Sequence, residues 1–426
     1  MTASHSRRGI GRFAPVLAAL LLAGCSQSAA AQKATEQAAT EATDRPLLQS
    51  ETTVIDEPAP GSPTAATTPA PTAPGRAEEI LAGLSLEQKV GQLLMPVLAG
   101  RAPAEVTREE QAANRTATGL SVPAEIVNDY HLGGVIYLAK NIGTADQVDL
   151  LSAGLQQAAR ADSGVGLLVA VDQEGGRVNR ITDGVTVFPS AEVLSGDAAA
   201  VREAGYLTGR QVADLGINVV LAPVADVTRP DMASFISNRS YGNDPQIVSQ
   251  MVTASVDGLQ DAGVAAAVKH WPGHGGTDVD SHLELPVLDS SREAWDQRER
   301  VPFQAAIEHR VSIVLVGHLA VPSLDPSGSP ATVSPAMIDG LLRTELGFDG
   351  VVMTDALNMG AVEDIEPGRL AVQAILAGVD ILLVPPDLGV AYRAITSAVE
   401  RGEISPERLD QSVLRILRLK ERLGQL

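Results

Sequence analysis

The sequence predicts an α/β fold, a TIM-type (β/α)8 barrel that forms a single catalytic domain. Short runs that are apolar at nearly every position alternate with longer amphipathic stretches, and such runs are typical of parallel strands that helices cover on both faces. Several runs also end in a polar residue, as expected for an enzyme whose active site lies at the carboxyl ends of barrel strands. An open doubly wound sheet has the same alternation and is the competing layout.

The predicted strands are apolar runs of six or seven residues, eight in number. They are 91–97, 133–139, 166–172, 217–223, 264–270, 312–318, 350–355 and 379–385. Eight such runs separated by helical segments match the strand count of a (β/α)8 barrel.

The predicted helices are the amphipathic stretches between these runs. They are 126–130, 145–159, 200–215, 247–262, 295–309, 335–346, 368–377 and 406–423.

The first 24 residues resemble a bacterial lipoprotein signal peptide. Three arginines and no acidic residue precede an apolar run of eleven residues, 13–23. Cys25 follows this run after a single glycine. Because a helix of eleven residues is too short for a bilayer of roughly 30 Å, a cleaved signal is preferred to a membrane span. Cys25 is then the predicted lipidation site. A cytoplasmic protein that begins with an apolar stretch by chance is the alternative.

The composition changes between this signal and the predicted barrel. Residues 25–76 are rich in Ala, Thr and Pro and contain few large apolar residues, so we expect a disordered linker. Residues 77–426 are expected to form the catalytic barrel.

The charge balance excludes one class of partner. The chain of 426 residues contains 32 Lys and Arg against 52 Asp and Glu, a formal charge of −20, so sequence-independent binding of nucleic acid is excluded. A single cysteine excludes an internal disulfide framework and a cysteine-cluster metal site. We expect a monomer attached to the membrane through its lipid.

Polar side chains close several of the predicted strands at the carboxyl end. They are Asp172, the pair Lys269 and His270, His318, and Asp355, with Asp226 shortly after the run 217–223. Any one of these residues could instead cap the following helix. The set taken together favours an active site at this face.

The segment 269–282, KHWPGHGGTDVDSH, has the highest density of reactive residues. It contains three of the seven histidines of the chain and three glycines, so the loop can approach a ligand closely. One interpretation is proton transfer by His282, oriented and kept basic by Asp280 two residues earlier.

Two other interpretations of this loop are open. A zinc site would use His270, His274 and His282 with Asp278 or Asp280, although these spacings match neither a helical histidine pair nor a zinc finger. In the second interpretation, the histidines have no chemical role and only cap turns.

The loop resembles the signature of family 3 glycoside hydrolases, in the single-domain β-N-acetylglucosaminidase branch, which runs Lys-His-aromatic-Pro-Gly-His-Gly and closes Asp-Ser-His. Other segments agree with the family in order and spacing. They are LGGVI at 132–136 with KN at 140–141, VDQEGGRV at 171–178, LAPVADV at 221–227, NRSYG at 238–242, GHL at 317–319, LRTELGF at 342–348 and VMTDALNM at 352–359. The resemblance extends from about residue 77 to the end.

The resemblance implies a role for each matching residue. Asp355 would attack the anomeric carbon, and His282, paired with Asp280, would serve as acid and base. A retaining glycosidase needs this combination of a nucleophilic carboxylate and a proton donor, and it needs no metal or cofactor. The positions that match sugar-binding residues are Asp172, Arg180, Arg239, Lys269 and His270.

The sequence also departs from the family. Ala356 stands where many relatives have a second Asp after the nucleophile, which puts the local loop geometry in doubt. Two-domain β-glucosidases of the family continue beyond the barrel, whereas this chain stops after 406–423, and this favours the N-acetylglucosaminidase branch.

The expected activity is hydrolysis of terminal, non-reducing β-N-acetylglucosamine from peptidoglycan fragments or related glycans. We expect the enzyme at the outer face of the cytoplasmic membrane, held by its lipid or shed from it. A phosphorylase is an alternative because a histidine, unlike an anionic glutamate, does not repel an attacking phosphate. A β-glucosidase and a non-catalytic sugar-binding lipoprotein are the others.

Overall fold

A computed structural model of the chain describes residues 75–426, except 233 and 235. The predicted signal peptide, Cys25 and nearly all of the predicted linker lie outside the described residues. Within the described range, no helix has both the length and the apolar character needed to cross a membrane.

Ten strands occur in the described residues, eight of them in parallel ladders and two in a hairpin. They are β1 (Leu94–Met95), β2 (Gly134–Tyr137), β3 (Leu168–Val171), β4 (Gln173–Gly175), β5 (Val178–Asn179), β6 (Val219–Val220), β7 (Ala265–Trp271), β8 (Ile313–Val316), β9 (Val351–Thr354) and β10 (Leu382–Leu383).

The parallel strands curl around a common core. β2, β3, β6, β7, β8 and β9 form one sheet in this order, and β1 pairs with β10. A bridge between Met353 and Ile381 joins β9 to the residue before β10. The Ile136 N–H donates to the Pro96 carbonyl and joins β2 to the segment after β1. The result is an α/β fold consistent with a TIM-type barrel, while the single catalytic domain stays a prediction.

Helices cover the outside of this sheet. They are α1 (Arg76–Gly83), α2 (Leu86–Gln92), α3 (Arg108–Thr118), α4 (Pro123–Asp129), α5 (Ala145–Ser163), α6 (Ala191–Leu194), α7 (Ala198–Ala213), α8 (Pro245–Asp261), α9 (Arg292–Gln297), α10 (Arg300–Glu308), a π-helix (Ala336–Glu345), α11 (Pro367–Leu376), α12 (Leu388–Glu400) and α13 (Pro406–Arg422). Short 3-10 turns lie at Ser237–Arg239, Ala331–Val333 and Gly360–Val362.

The predicted strand 91–97 is wrong at its start. Residues up to Gln92 belong to α2, and only Leu94–Met95 form a strand. A Cβ on Gly91 would lie 2.2 Å from the Tyr130 carbonyl oxygen, so this glycine marks a close approach between a helix and backbone, rather than the start of a strand.

Two predicted helices differ in form. The predicted helix 295–309 is divided into α9 and α10, and the fully buried Glu299 lies at the break, against Gly273. The predicted helix 335–346 is a π-helix, in which the Leu346 N–H donates to the Leu341 carbonyl five residues earlier. Apolar periodicity carries no signal for either change.

The predicted helices do not include α1, α2, α3, α6 and α12. α3 buries only the polar residues Asn114 and Thr118, so it has no apolar stripe to detect. α12 does have such a stripe, with Ala391, Ile395 and Ala398 buried, and the prediction of eight helices left it out.

Candidate active site

A cavity of about 410 Å³ opens at the carboxyl ends of the strands. Apolar side chains from β2, β8 and the segment after β10 line part of its wall, among them Ile136, Leu315 and Val384. All eight residues proposed from the sequence for catalysis or sugar binding line the same cavity. They are Asp172, Arg180, Arg239, Lys269, His270, Asp280, His282 and Asp355.

Four charged side chains form what we call the floor: Asp172, Glu174, Arg239 and Lys269. The buried Lys269 Nζ lies 3.0 Å from Asp172 Oδ1 and 2.6 Å from Glu174 Oε1. Arg239 donates through Nε and Nη2 to the two oxygens of Glu174, each at 2.8 Å. Such a bidentate pair fixes orientation as well as charge, so each floor residue is held by at least one ionic partner.

The ion pairs keep the floor charged. Burial raises the pKa of Asp172, but the nearby cations, Lys269 first and then Arg180 and Arg239, outweigh it and lower that pKa to about 2. The pKa of Glu174 is also lowered, because Lys269 and Arg239 outweigh its burial. Burial lowers the pKa of Lys269, yet the two carboxylates raise it overall. The floor therefore carries two fixed cations and two fixed carboxylates at neutral pH.

Asp226 fixes the ring of His270 beside the floor. Its Oδ2 lies 2.7 Å from His270 Nδ1, while Oδ1 accepts the backbone N–H groups of His270 at 3.1 Å and His274 at 2.7 Å. Although burial raises the pKa of Asp226, its contacts with His270 lower it overall. An ionised Asp226 accepts the Nδ1 proton, so His270 Nε2 faces the cavity side, 3.5 Å from Arg239 Nη2.

Asp355 directly follows β9 and is held through its own backbone. Its N–H donates to the Val316 carbonyl at 2.8 Å, and its Oδ1 accepts the Ala356 N–H at 2.8 Å. Burial raises the pKa of Asp355, but the neighbouring rings of His270 and His318, the Ala356 N–H and Lys269 lower it overall. The carboxylate is therefore ionised and held at one oxygen.

His318 supports the turn after Asp355. It is fully buried, and its Nε2 lies 3.0 Å from the Ala356 carbonyl oxygen while Nδ1 lies 2.6 Å from Thr332 Oγ1. Because a carbonyl oxygen only accepts, Nε2 carries the proton. Burial lowers the pKa of His318, so this ring is neutral and braces Ala356, where the family pattern has a second Asp.

Asp280 and His282 form what we call the rim dyad, at the mouth of the cavity. Asp280 Oδ1 lies 2.7 Å from His282 Nδ1 and accepts the His282 backbone N–H at 3.0 Å. The His282 side chain is 62% exposed. Burial raises the pKa of Asp280, but the two contacts with His282 lower it overall. Asp280 thus orients the imidazole of His282, which is open to solvent.

The side chains of the three histidines of the loop contact different partners. His270 contacts Asp226, His274 Nε2 lies 3.0 Å from Ser281 Oγ, and His282 contacts Asp280. In the described part of the chain, no three His, Cys, Asp or Glu side chains are grouped as metal ligands.

Glu174 was not among the predicted site residues, and Asp226 and His318 had no predicted role. A signal for Glu174 was present. Arg239 and Lys269, both predicted at the site, need carboxylate partners when buried, and Glu174 lies two residues after Asp172.

Known proteins similar to this chain belong to one family of glycoside hydrolases. The profile of the glycosyl hydrolase family 3 N terminal domain matches residues 85–419. Beta-hexosaminidase A of Pseudoalteromonas piscicida is 34% identical over 333 residues, which cover 71% of this chain and 55% of the relative. Beta-hexosaminidase LpqI of Mycobacterium tuberculosis is 33% identical, covering 75% of this chain and 84% of the relative. The chain therefore spans little more than half of the first relative and most of the second.

A solved structure is also similar. The family 3 beta-N-acetylglucosaminidase from Paenibacillus sp. str. FPU-7 is 42% identical with a TM-score of 0.73, covering 80% of this chain and 63% of that one.

Proposed function

The chain belongs to glycosyl hydrolase family 3, and from this we propose that it is a retaining β-N-acetylhexosaminidase that removes terminal, non-reducing β-N-acetylglucosamine. The observation that carries the proposal is the cavity that brings an ionised Asp355 together with the Asp280 and His282 dyad and the charged floor. Relatives named beta-hexosaminidase support the choice of sugar.

In the first step of the proposed reaction, an Asp355 oxygen forms a bond to the anomeric carbon as the glycosidic bond breaks. The leaving oxygen takes a proton from His282. Because Nδ1 of this ring is bonded to Asp280, we assign the transferred proton to Nε2. The lowered pKa of Asp355 keeps the nucleophile ionised at neutral pH.

In the second step, His282 Nε2 accepts a proton from water as the water oxygen attacks the anomeric carbon. The bond to Asp355 breaks, and the sugar leaves with its original configuration because two displacements have occurred. One imidazole can thus serve as acid in the first step and as base in the second.

The floor binds the sugar in this proposal. Asp172 accepts hydrogen bonds from sugar hydroxyls, and Arg180, Arg239 and Lys269 donate to hydroxyls or to the acetamido oxygen. His270, whose Nδ1 proton is held by Asp226, accepts from a hydroxyl at Nε2. The floor residues are already ordered by their ion pairs, so binding costs little side-chain entropy.

We further propose that the enzyme works as a monomer at the outer face of the cytoplasmic membrane. The support comes from the sequence: lipidation of Cys25 would anchor the barrel, and the linker 25–76 would separate it from the lipid surface. Peptidoglycan fragments are the N-acetylglucosaminyl glycans that such an enzyme meets, and we propose them as substrates.

The proposed sugar specificity is tested with 4-nitrophenyl β-glycosides of N-acetylglucosamine, glucose and xylose, each with and without phosphate. We expect the N-acetylglucosaminyl substrate to have the highest kcat/KM and free N-acetylglucosamine to be the product in both buffers. A preference for the glucoside would reject the specificity, and a sugar phosphate as the main product would reject hydrolysis.

The proposed nucleophile is tested with Asp355→Ala. Loss of the nucleophile should lower kcat by at least about 10⁴-fold. Mass spectrometry of the wild-type enzyme with 5-fluoro-N-acetylglucosaminyl fluoride should find the sugar on the peptide that contains Asp355. Near-normal turnover by the variant, or a label on another peptide, would contradict the assignment.

A further inference from the structure

We propose that the 3-10 turn Gly360–Val362, which follows the nucleophile segment, positions the rim dyad, with Gly360 and Ala361 as positioning residues. The inference rests on the proposed function, because it concerns how His282 reaches the leaving group. It assigns a task to a segment that makes none of the chemical contacts described above.

Two backbone hydrogen bonds connect this turn to the dyad. The Gly360 N–H donates to the His282 carbonyl at 3.1 Å, and the Ala361 N–H donates to the Ser281 carbonyl at 3.2 Å. These bonds hold the backbone of His282, the proposed acid/base residue, and of Ser281, which lies between His282 and Asp280. A shift of the turn would therefore be transmitted to His282.

The turn and the dyad loop are so close that there is no space for a side chain at Gly360. A Cβ at this position would lie 2.5 Å from the Leu283 carbonyl oxygen and 2.9 Å from the His282 carbonyl oxygen. Both nearby atoms belong to the backbone. A side chain could therefore be accommodated only if residues 280–283, which we call the dyad segment, moved. The hydrogen bonds and the close contact thus involve three consecutive residues, 281–283, and both involve the His282 carbonyl.

Ser281 provides a second attachment for the dyad segment. Its side chain is buried, and Oγ lies 3.0 Å from Nε2 of the buried His274. The His274 backbone N–H in turn donates to Asp226 at 2.7 Å, the residue that also fixes His270. The segment is therefore anchored at Ser281 while the His282 ring points outward.

The same turn is tied to the nucleophile. Leu357 and Met359, between Asp355 and the turn, are buried, and the Leu357 N–H donates to the Leu383 carbonyl of β10 at 2.9 Å. One rigid segment of the chain thus holds Asp355 at one end and the backbone of His282 at the other. This arrangement fixes the separation between the nucleophile and the proton donor, on which the rate depends strongly.

The test compares Gly360→Ala with Gly83→Ala, because Gly83 ends α1 and a Cβ there would meet nothing within 4 Å. The substrates are an N-acetylglucosaminide with a methanol leaving group, which needs protonation, and its 2,4-dinitrophenyl analogue, which does not. For Gly360→Ala we expect kcat/KM on the methyl glycoside to fall about 10- to 100-fold and kcat/KM on the dinitrophenyl glycoside to change by less than about 3-fold. Gly83→Ala should match the wild type on both.

Azide provides a readout that a general loss of structure does not give. In the second step, a displaced His282 would activate water poorly, and azide needs no such activation. We expect azide to raise kcat of Gly360→Ala on the dinitrophenyl glycoside and to yield glycosyl azide, without effect on Gly83→Ala. Ser281→Ala, which removes the contact to His274 without adding bulk, should give the same pattern with a smaller loss.

Equal losses of Gly360→Ala on both substrates without azide rescue would overturn the inference, as would activity equal to that of Gly83→Ala. If Gly360→Ala melts well below the wild type, Ser281→Ala decides by the same criteria. Failure of the proposed function is separate, because the wild type would then cleave neither N-acetylglucosaminide.

Discussion

On the floor of the cavity, the Lys269 side chain is 4% exposed and contacts two carboxylates, whereas on the rim the His282 side chain is 62% exposed and contacts Asp280 in its own loop. Floor residues come from distant parts of the chain, since Lys269 and Asp172 are 97 residues apart. The rim dyad is formed by residues two apart. Folding of the whole barrel is thus needed to assemble the floor, but only a local turn is needed to pair the dyad.

The difference matches two demands of the proposed reaction. A binding site gains when its polar groups are ordered before the sugar arrives, because little reorganisation is then needed. A group that protonates the leaving oxygen and later deprotonates water must be reachable by both. The floor meets the first demand and the rim the second, so variants of the two regions should affect different measurements.

The largest effect on stability is expected for Lys269→Met. This change leaves Asp172 and Glu174 without their shared cation, and removal of one partner from a buried ion pair costs about 3–5 kcal/mol. We expect the free energy of unfolding in urea to fall by that amount and kcat/KM on the N-acetylglucosaminyl substrate to fall with it.

Lys420→Met is the matched control for this variant. Lys420 is also fully buried, but its Nζ donates to the amide oxygen of Gln92 at 2.6 Å, and burial lowers its pKa to about 7. Its removal leaves no carboxylate unpaired and only the Gln92 amide oxygen without a donor, so we expect a loss of stability of about 1–3 kcal/mol, smaller than that of Lys269→Met. Equal destabilisation by both variants would show that the ion pairs of Lys269 add no more stability than the hydrogen bond of Lys420 to a neutral amide.

His282→Ala should have the opposite profile. We expect kcat/KM on substrates with poor leaving groups to fall about 10²- to 10⁴-fold, because general acid catalysis contributes that much. The free energy of unfolding should stay within about 0.5 kcal/mol of the wild type, since the side chain is largely exposed. The measurements are kcat/KM on methyl and dinitrophenyl N-acetylglucosaminides and a urea titration. Equal losses on the two substrates would argue against an acid/base role.

The sequence predicted the two regions unequally. Asp280 and His282 are close in sequence, so their pairing follows from local spacing. The strands that end near Asp172, Lys269 and Asp355 are recognisable because they are apolar throughout, which places these residues at one face of the fold. The partner of Arg239 is not recognisable in this way, because Glu174 lies 65 residues away and only the order and register of the strands bring the two together.

The smallest expected effect is a pH dependence that the floor imposes on stability. The pKa of Asp172 in the folded chain, about 2, is below its ordinary value of 3.8. A lowered carboxyl pKa stabilises the fold at pH values above the ordinary value, and this contribution is lost as the pH falls through the folded value. For Asp172 the loss is about 2 kcal/mol.

Urea titrations between pH 5 and pH 2 can measure this loss. Asp172→Asn should flatten the decline in unfolding free energy over that range, whereas Asp280→Asn, on the exposed rim, should change it less. An unchanged decline in Asp172→Asn would contradict the assignment of this pH dependence to the floor.

The ion pairs of the floor also have a consequence for how the protein responds to salt. The whole chain carries a formal charge of −20, yet Lys269 and Arg239 balance Asp172 and Glu174 within hydrogen-bonding distance. Dissolved ions screen charges over about 10 Å at 0.1 M, a range too long to act on pairs in direct contact. For the proposed uncharged sugar, short-range hydrogen bonds to these paired charges would supply the binding energy, and we expect its affinity to depend little on ionic strength.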